Sequence, residues 1–437
     1  MTSATPTRSW VPGTDGSPFG LAALPWGVVH RDGTDHAAVR IGDHAVLLDM
    51  LLEAGLLDTV PGVDEALTPS TSLDALMDAG PATWRELRRH LQDLLTDGEE
   101  ALAGDAALRT RALVALDDDA TAALPFTVAD YVDFYCSINH ATNMGRILRP
   151  DDEPLLPNWR HLPIGYHGRS GTIVGTGRDV IRPNGLRPAE DAPSYGPTRR
   201  LDFELEVGIV IGAPSTPGQP VRPDDVDQHV FGFCLVNDWS ARDVQGYEYR
   251  PLGPFLGKSF LTSISPWIMP LDAVAGAFTD APVQDPVPSP YLRAQRPWAL
   301  PIDLDVRLRT AAMREAGEDA VVIARAGFAD MYWTVAQMVA HVTANGAHLR
   351  RGDLYASGTV SGTEPGTYGS MMELSWGGRD PLTLPNGEQR TFLEDGDEVV
   401  LAGTTTLLDG TTIAWGEVAG TVTPAVALDT VEDPPTV

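Results

Sequence analysis

Leu201-Asp-Phe-Glu-Leu-Glu-Val-Gly-Ile-Val-Ile211 alternates apolar and acidic residues through its first half and runs apolar to its end. A period of two is the mark of a β-strand, so Leu201, Phe203, Leu205 and Val207 take one face and Asp202, Glu204 and Glu206 the other. Residues two apart on a strand lie roughly 7 Å from each other, within reach of a shared cation. The acidic face therefore admits two readings, a solvated sheet surface or a set of ligands.

Two further segments bring acids toward it. The apolar run Phe231-Gly-Phe-Cys-Leu-Val236 reads as a second strand and ends in Asn237-Asp238. In Tyr131-Val-Asp-Phe-Tyr-Cys-Ser-Ile-Asn-His-Ala-Thr-Asn-Met-Gly145, Asp133 precedes His140 by seven residues, and a helix there would put both on one face. Oxygen-only ligation by Asp133, Glu204, Glu206 and Asp238 suits a hard ion, Ca²⁺ or Mg²⁺, over zinc or copper. His140 is the histidine best suited to accept a proton from water near neutral pH, with Glu373 in Gly369-Ser-Met-Met-Glu373 to orient it. His341 and His348 are read as structural. Tyr166-His-Gly-Arg169 reads equally as substrate contact or as turn.

Lys258 is the only lysine in a chain whose other permanently cationic side chains are all arginine. A compact ammonium on a thin stem can point at one developing charge in a narrow pocket, which a guanidinium fork cannot do. Its segment, Gly253-Pro-Phe-Leu-Gly-Lys-Ser-Phe260, and the nearby Asn237-Asp-Trp-Ser-Ala-Arg-Asp-Val-Gln245 gather an acid, an arginine, an amide and this ammonium.

Composition bounds the rest. The 437 residues include 43 glycines and 36 prolines, which favours short strands joined by turns. A formal charge of -29 excludes a nucleic-acid surface and requires any anionic substrate to meet a local cation. No secretory signal and no run of apolar residues long enough for a membrane span are found, so the expectation is a soluble cytoplasmic protein. Cys136 and Cys234 are too few for a disulfide framework and read as buried thiols.

Residues 1–124 read as a smaller α+β unit. Trp26–His30 and Ala37–Leu48 are strands punctuated by Arg31-Asp-Gly33 and Gly42-Asp43, and a helix starts at a capping box formed by Thr83 and Glu86. A polar stretch from Thr96 to Ala123 leads to the boundary at Leu124-Pro125. The larger remainder, 125–437, is expected to be β-rich, with a long ordered loop over Asp272–Pro301, a helix over Asp330–Ala344 stopped by Asn345-Gly346, and a frayed tail from Asp429.

Taken together, Asp133-Phe-Tyr135 with His140-Ala-Thr-Asn143, Asn158-Trp159, Tyr166-His-Gly-Arg169, Asp202-Phe-Glu-Leu-Glu206, Asn237-Asp-Trp-Ser-Ala-Arg-Asp243, Pro251–Phe260, Ser357-Gly-Thr359 and Gly369-Ser-Met371 resemble the fumarylacetoacetase family. The likeness runs from about Ser17 to about Ala425. It implies a small N-terminal SH3-like barrel before a β-roll catalytic domain, a homodimer, and hydrolysis of the carbon–carbon bond of a diketo acid. It implies Asp133, Glu204, Glu206 and Asp238 as metal ligands and His140 as a base activated by Glu373. Tyr135, Arg149, Tyr166, Gln245, Tyr249 and Thr359 would surround the substrate, with Arg242, Gln245 and Lys258 facing the leaving group. Lys258 and Thr262 match positions beside a second cation, usually Mg²⁺, although Leu261 replaces the family's small residue there. Related acylpyruvate hydrolases and decarboxylases of 2-oxo diacids are the alternative, but they generally lack the N-terminal region. A structural calcium site without turnover is the non-enzymatic alternative.

Overall fold

The computed structural model describes residues 8–68, 70–117 and 120–427; the tail expected to fray from Asp429 lies outside them. It is a β-rich α+β structure in which three main sheets carry the chain. The first is antiparallel, with spatial order Leu113–Ala115, His44–Leu47, Thr34–Ile41, Trp26–Arg31, Ala120–Ala123. The stretch read as a polar connection from Thr96 thus supplies a helix, Ala106–Ala112, and both outer strands of this sheet. The 15-residue helix Gly80–Leu94 starts one turn before the expected box. Thr83 is buried inside it and bonds the Pro61 carbonyl instead of capping.

The second sheet positions the site. Its order is Gly165–His167, Asp130–Phe134, Asp353–Ala356, Leu205–Ile211, Val230–Asp238, Thr262–Ile264, Ile173–Gly175. The neighbours of Asp130–Phe134 and Thr262–Ile264 on one side run parallel to them, and the rest pair antiparallel. Register sets Asp133 opposite Tyr166, Leu205 opposite Asn237, and Asp238 opposite Thr262. The acidic stretch is interrupted: Leu201–Asp202 pairs with Ser240–Ala241, and the long strand starts anew at Leu205. All of it is buried, including Asp202, Glu204 and Glu206, so the solvated-face reading is overturned.

A third sheet, Val321–Gly327, Asp303–Arg309, Glu398–Thr406, Thr412–Thr423 and Val180–Ile181, backs the second, with Trp415 against Phe233 at 6.2 Å. The late helix is Val335–Thr343, narrower than expected because Thr334 and Gln337 form a true capping box; Gly346 then takes a left-handed φ of 90°. The first and second sheets share one apolar cluster. Trp84 meets Phe231 edge-on at 5.0 Å, and Trp26 exchanges backbone hydrogen bonds with Ile268 at 2.9 and 2.7 Å.

Candidate active site

Asp133 and His140 do not share a helix. Asp133 is on the strand Asp130–Phe134, and His140 is on the helix Ile138–Leu148, whose first turn is capped by Ser137 accepting from the His140 amide. The strand-to-helix turn, with Tyr135 and Cys136 between them, aims both side chains at one place. Helical spacing was the wrong ruler because strand residues with a strong apolar alternation, Val132 and Phe134, precede the cap.

The His140 Nδ1 lies 2.7 Å from Glu373 Oε2. That carboxylate also accepts from Asn143 Nδ2 at 2.9 Å, Ser361 Oγ at 2.9 Å and Ser370 Oγ at 2.8 Å. Burial alone would raise the Glu373 pKa, but His140 and these donors outweigh it and hold the group below its ordinary value. An ionised carboxylate only accepts, so Nδ1 carries the proton and Nε2 is left as the basic nitrogen. Nε2 faces the acids, 3.8 Å from Glu204 Oε1.

Glu204 is the hinge between base and cations. Arg242 Nη2 reaches its Oε1 at 2.8 Å, and Lys258 Nζ bonds its Oε2. Burial opposes ionisation, yet Arg242, Lys258 and His140 together keep its pKa low. Arg242 is fixed in turn by Asp202 Oδ2 at 2.7 Å, and it donates to Gln245 Oε1 at 3.2 Å. Asp202 also accepts from the Met371 and Met372 amides at 2.6 and 3.0 Å, tying Arg242 to the short helix that bears Glu373. Lys258 Nζ lies 2.7 Å from Asp238 Oδ2 and 4.0 Å from Asp133 Oδ2. Burial would lower its pKa, but Asp238, Glu204 and Asp133 outweigh that and keep the ammonium charged.

Asp133, Glu206 and Asp238 offer carboxylate oxygens within 4.8 Å of one another, all buried. Burial, then mutual repulsion, pushes Asp133 and Glu206 well above the ordinary carboxylate range. Glu206 Oε2 accepts from the Gly358 amide at 3.0 Å, while its Oε1 is buried without a hydrogen-bond partner. An all-oxygen set with repelling charges and an unsatisfied acceptor fits a hard divalent cation. Glu204 stands beside this cluster with its oxygens engaged by Arg242 and Lys258. Thr262 Oγ1 donates to Asp238 Oδ1 at 3.0 Å.

A cavity of about 510 Å³ opens on this machinery. Asp133, His140, Glu204, Arg242, Gln245 and Lys258 line one side of it. Tyr135, Arg149, Tyr166, Tyr249 and Thr359 also line it, among apolar residues such as Met144, Leu155 and Trp159, so the expected substrate residues converge. The Thr359 hydroxyl and Arg149 Nε are buried there without partners. Glu206, Asp238, Thr262 and Glu373 sit behind this wall, Asp238 and Thr262 facing a second cavity of about 250 Å³. The sequence reading gave no role to Asn143, Ser361, Ser370, Asp202 or Glu248. Ser370 was findable, since Ser-x-x-Glu is a capping-box spacing, and Ser370 does cap the Glu373 helix. Glu248 Oε1 accepts from the Phe255 and Gly257 amides at 2.8 and 2.7 Å, closing the loop that delivers Lys258; no sequence signal marks it.

Two family models match the chain: Fumarylacetoacetase N-terminal over residues 22–125 and Fumarylacetoacetate (FAA) hydrolase C-terminal over residues 130–423. The fumarylacetoacetase of Caenorhabditis elegans is 44% identical over 427 residues, covering 96% of this chain and 99% of that protein. Those of Rattus norvegicus and Arabidopsis thaliana are 42% and 40% identical, each again covering 96% of this chain and 99% of the relative. Among solved structures, a fumarylacetoacetate hydrolase from psychrophilic Exiguobacterium antarcticum matches with a TM-score of 0.50 at 17% identity, covering 92% of this chain and 99% of that one. At that identity the likeness speaks for the fold alone. With both family models matched in order and relatives aligned almost end to end, the chain belongs to the fumarylacetoacetase family.

Proposed function

We propose that this protein hydrolyses the carbon–carbon bond of 4-fumarylacetoacetate to give fumarate and acetoacetate, the last step of tyrosine and phenylalanine breakdown. The observation that carries the reading is the buried His140–Glu373 pair at 2.7 Å, opening on the same cavity as Arg242 and Lys258. A base on one side and fixed cations on the other are what this cleavage needs.

In the proposed reaction His140 Nε2 takes a proton from water, and the resulting hydroxide adds to the carbonyl carbon on the fumaryl side. Glu373 stabilises the imidazolium formed. The tetrahedral adduct then expels the acetoacetate fragment with the electron pair of the broken carbon–carbon bond. Arg242, Gln245 and Lys258 stabilise that enolate, and a proton returned to its carbon completes the product. Each such preorganised donor is worth about 3 kcal/mol of barrier. Tyr135, Arg149, Tyr166, Tyr249 and Thr359 orient the diketo acid. Asp133, Glu204, Glu206 and Asp238 would hold a divalent ion, Ca²⁺ or Mg²⁺, which supplies positive charge to polarise a 1,3-diketone. A second ion, usually Mg²⁺, is proposed beside Lys258 and Thr262, both of which bond Asp238.

We further read residues 1–124 as an SH3-like domain, 125–437 as a β-roll catalytic domain, and the assembly as a cytoplasmic homodimer. No described helix is long and apolar enough to cross a membrane. A substrate panel tests the function. Purified protein is expected to remove the ultraviolet absorbance of 4-fumarylacetoacetate while leaving acylpyruvates and oxaloacetate intact; turnover of those alone would replace this reading with the acylpyruvate hydrolase or decarboxylase alternative.

A further inference from the structure

We propose that Tyr131 is a positioning residue of the cation site, its buried and unpartnered phenol poised to donate to the carboxylates once they gather round an ion, and that residue 168 is glycine because the Tyr131 ring lies across it. This rests on the reading of Asp133, Glu206 and Asp238 as a cation site.

Tyr131 and Asp133 are two residues apart on the strand Asp130–Phe134, so their side chains leave the same face of the sheet. The adjacent strand pairs Asp133 with Tyr166 and Val132 with His167, and the Gly168 amide donates to the Tyr131 carbonyl at 2.9 Å. Tyr131 therefore faces residue 168 across the ladder. A Cβ built on Gly168 would stand 2.3 Å from Tyr131 Cδ1 and 2.6 Å from Cε1, so no larger residue fits while the ring holds its place. The motif Tyr166-His-Gly-Arg169 thereby acquires a reason for its third residue.

The ring is almost fully buried, and its hydroxyl is buried without a hydrogen-bond partner. A phenylalanine would fill the same space without that liability. What surrounds the hydroxyl is charge: Asp238, Asp133, Glu206 and Glu204 all act on it electrostatically. Carboxylates that hold an ion are ionised and only accept hydrogen bonds, so beside them a phenol serves as donor. Tyr131 also lines the smaller cavity with Asp238, Lys258 and Thr262, which puts it on the flank of the cluster opposite His140. Groups that donate to ligating carboxylates fix their direction, and losing one typically costs about 10- to 100-fold in metal affinity.

The test is calorimetric titration of Ca²⁺ alone into full-length, chelator-stripped protein. Tyr131→Phe is expected to weaken Ca²⁺ binding at least about tenfold while leaving the melting temperature of the ion-free protein unchanged or higher. Gly168→Ala is expected to weaken binding as well, by displacing a ring whose hydroxyl is intact. Ca²⁺ binding by Tyr131→Phe within about twofold of wild type would overturn the role of Tyr131 alone, leaving the cation site standing. Failure of the wild-type protein to bind Ca²⁺ or Mg²⁺ would remove the cation site and, with it, this inference.

Discussion

Glu204 and Glu373 on one side of the site, and Asp133 and Glu206 on the other, are buried alike and titrate in opposite directions. The first pair meets cations the chain itself provides: Arg242 and Lys258 for Glu204, and His140 for Glu373. Their pKa values fall despite the loss of water. The second pair meets mainly other acids, and their values rise. Burial sets the size of the stakes, and partners set the sign. One half of the site is electrically complete; the other is left wanting a positive ion.

The sharpest way to break the complete half is to remove its base. His140→Ala should cut turnover of 4-fumarylacetoacetate by about 10²- to 10⁴-fold with the melting transition preserved, as read by steady-state kinetics and calorimetry. Near-normal turnover would show that the Glu373 pair is structural. Arg242→Met should act on stability, because Asp202 would keep its burial and lose its counter-charge, and Glu204 would keep only Lys258. A loss of about 3 to 5 kcal/mol is expected in denaturant unfolding. Lys258→Arg keeps the charge and tests shape alone: the fork cannot occupy a pocket bounded by Glu204, Asp238 and Asp133, so turnover should fall at least about a hundredfold.

The incomplete half gives the smallest and most diagnostic effect, a pH dependence. Asp133 and Glu206 have raised folded pKa values, so the ion-free native state keeps protons that the unfolded chain has released. Their stabilising contribution is full below the ordinary carboxylate range and is lost as pH rises toward the folded values. Glu204 and Glu373 act in reverse, stabilising above the ordinary range and failing as pH falls. The gain in stability from added Ca²⁺ should therefore grow between about pH 5 and pH 7, reaching about 2.7 kcal/mol at a hundredfold excess over Kd. Thermal melts with Ca²⁺ and with chelator across that range check it; a gain independent of pH would mean that the raised acids do not hold the ion.

What the sequence made legible follows the same division. Strands such as Trp26–Arg31 and Val230–Asp238 were readable from alternation and apolar runs, because one residue's neighbours there decide its face. The acids themselves were readable as candidates, and Glu373 as partner of His140. Their burial was not, since period two assigns Asp202, Glu204 and Glu206 to a face without saying what covers it. Residues 203–204 break the strand where Leu205 turns to bond the Gly369 carbonyl at 2.9 Å, a contact across more than 160 positions. Asn143 and Ser361 escaped for the same reason: each matters through a carboxylate that only tertiary packing brings near. Local pattern names the elements, and long-range hydrogen bonds decide which polar side chains belong to the site.

The central claim is that Asp133, Glu206 and Asp238, with Glu204 beside them, hold a divalent ion on which turnover depends, and one experiment meets it directly. Hydrolysis of 4-fumarylacetoacetate is followed by absorbance in chelator-stripped protein, and Ca²⁺ is then added back to stoichiometry and beyond. The account predicts negligible turnover without the ion and recovery on its return. Full activity in the stripped protein would contradict it.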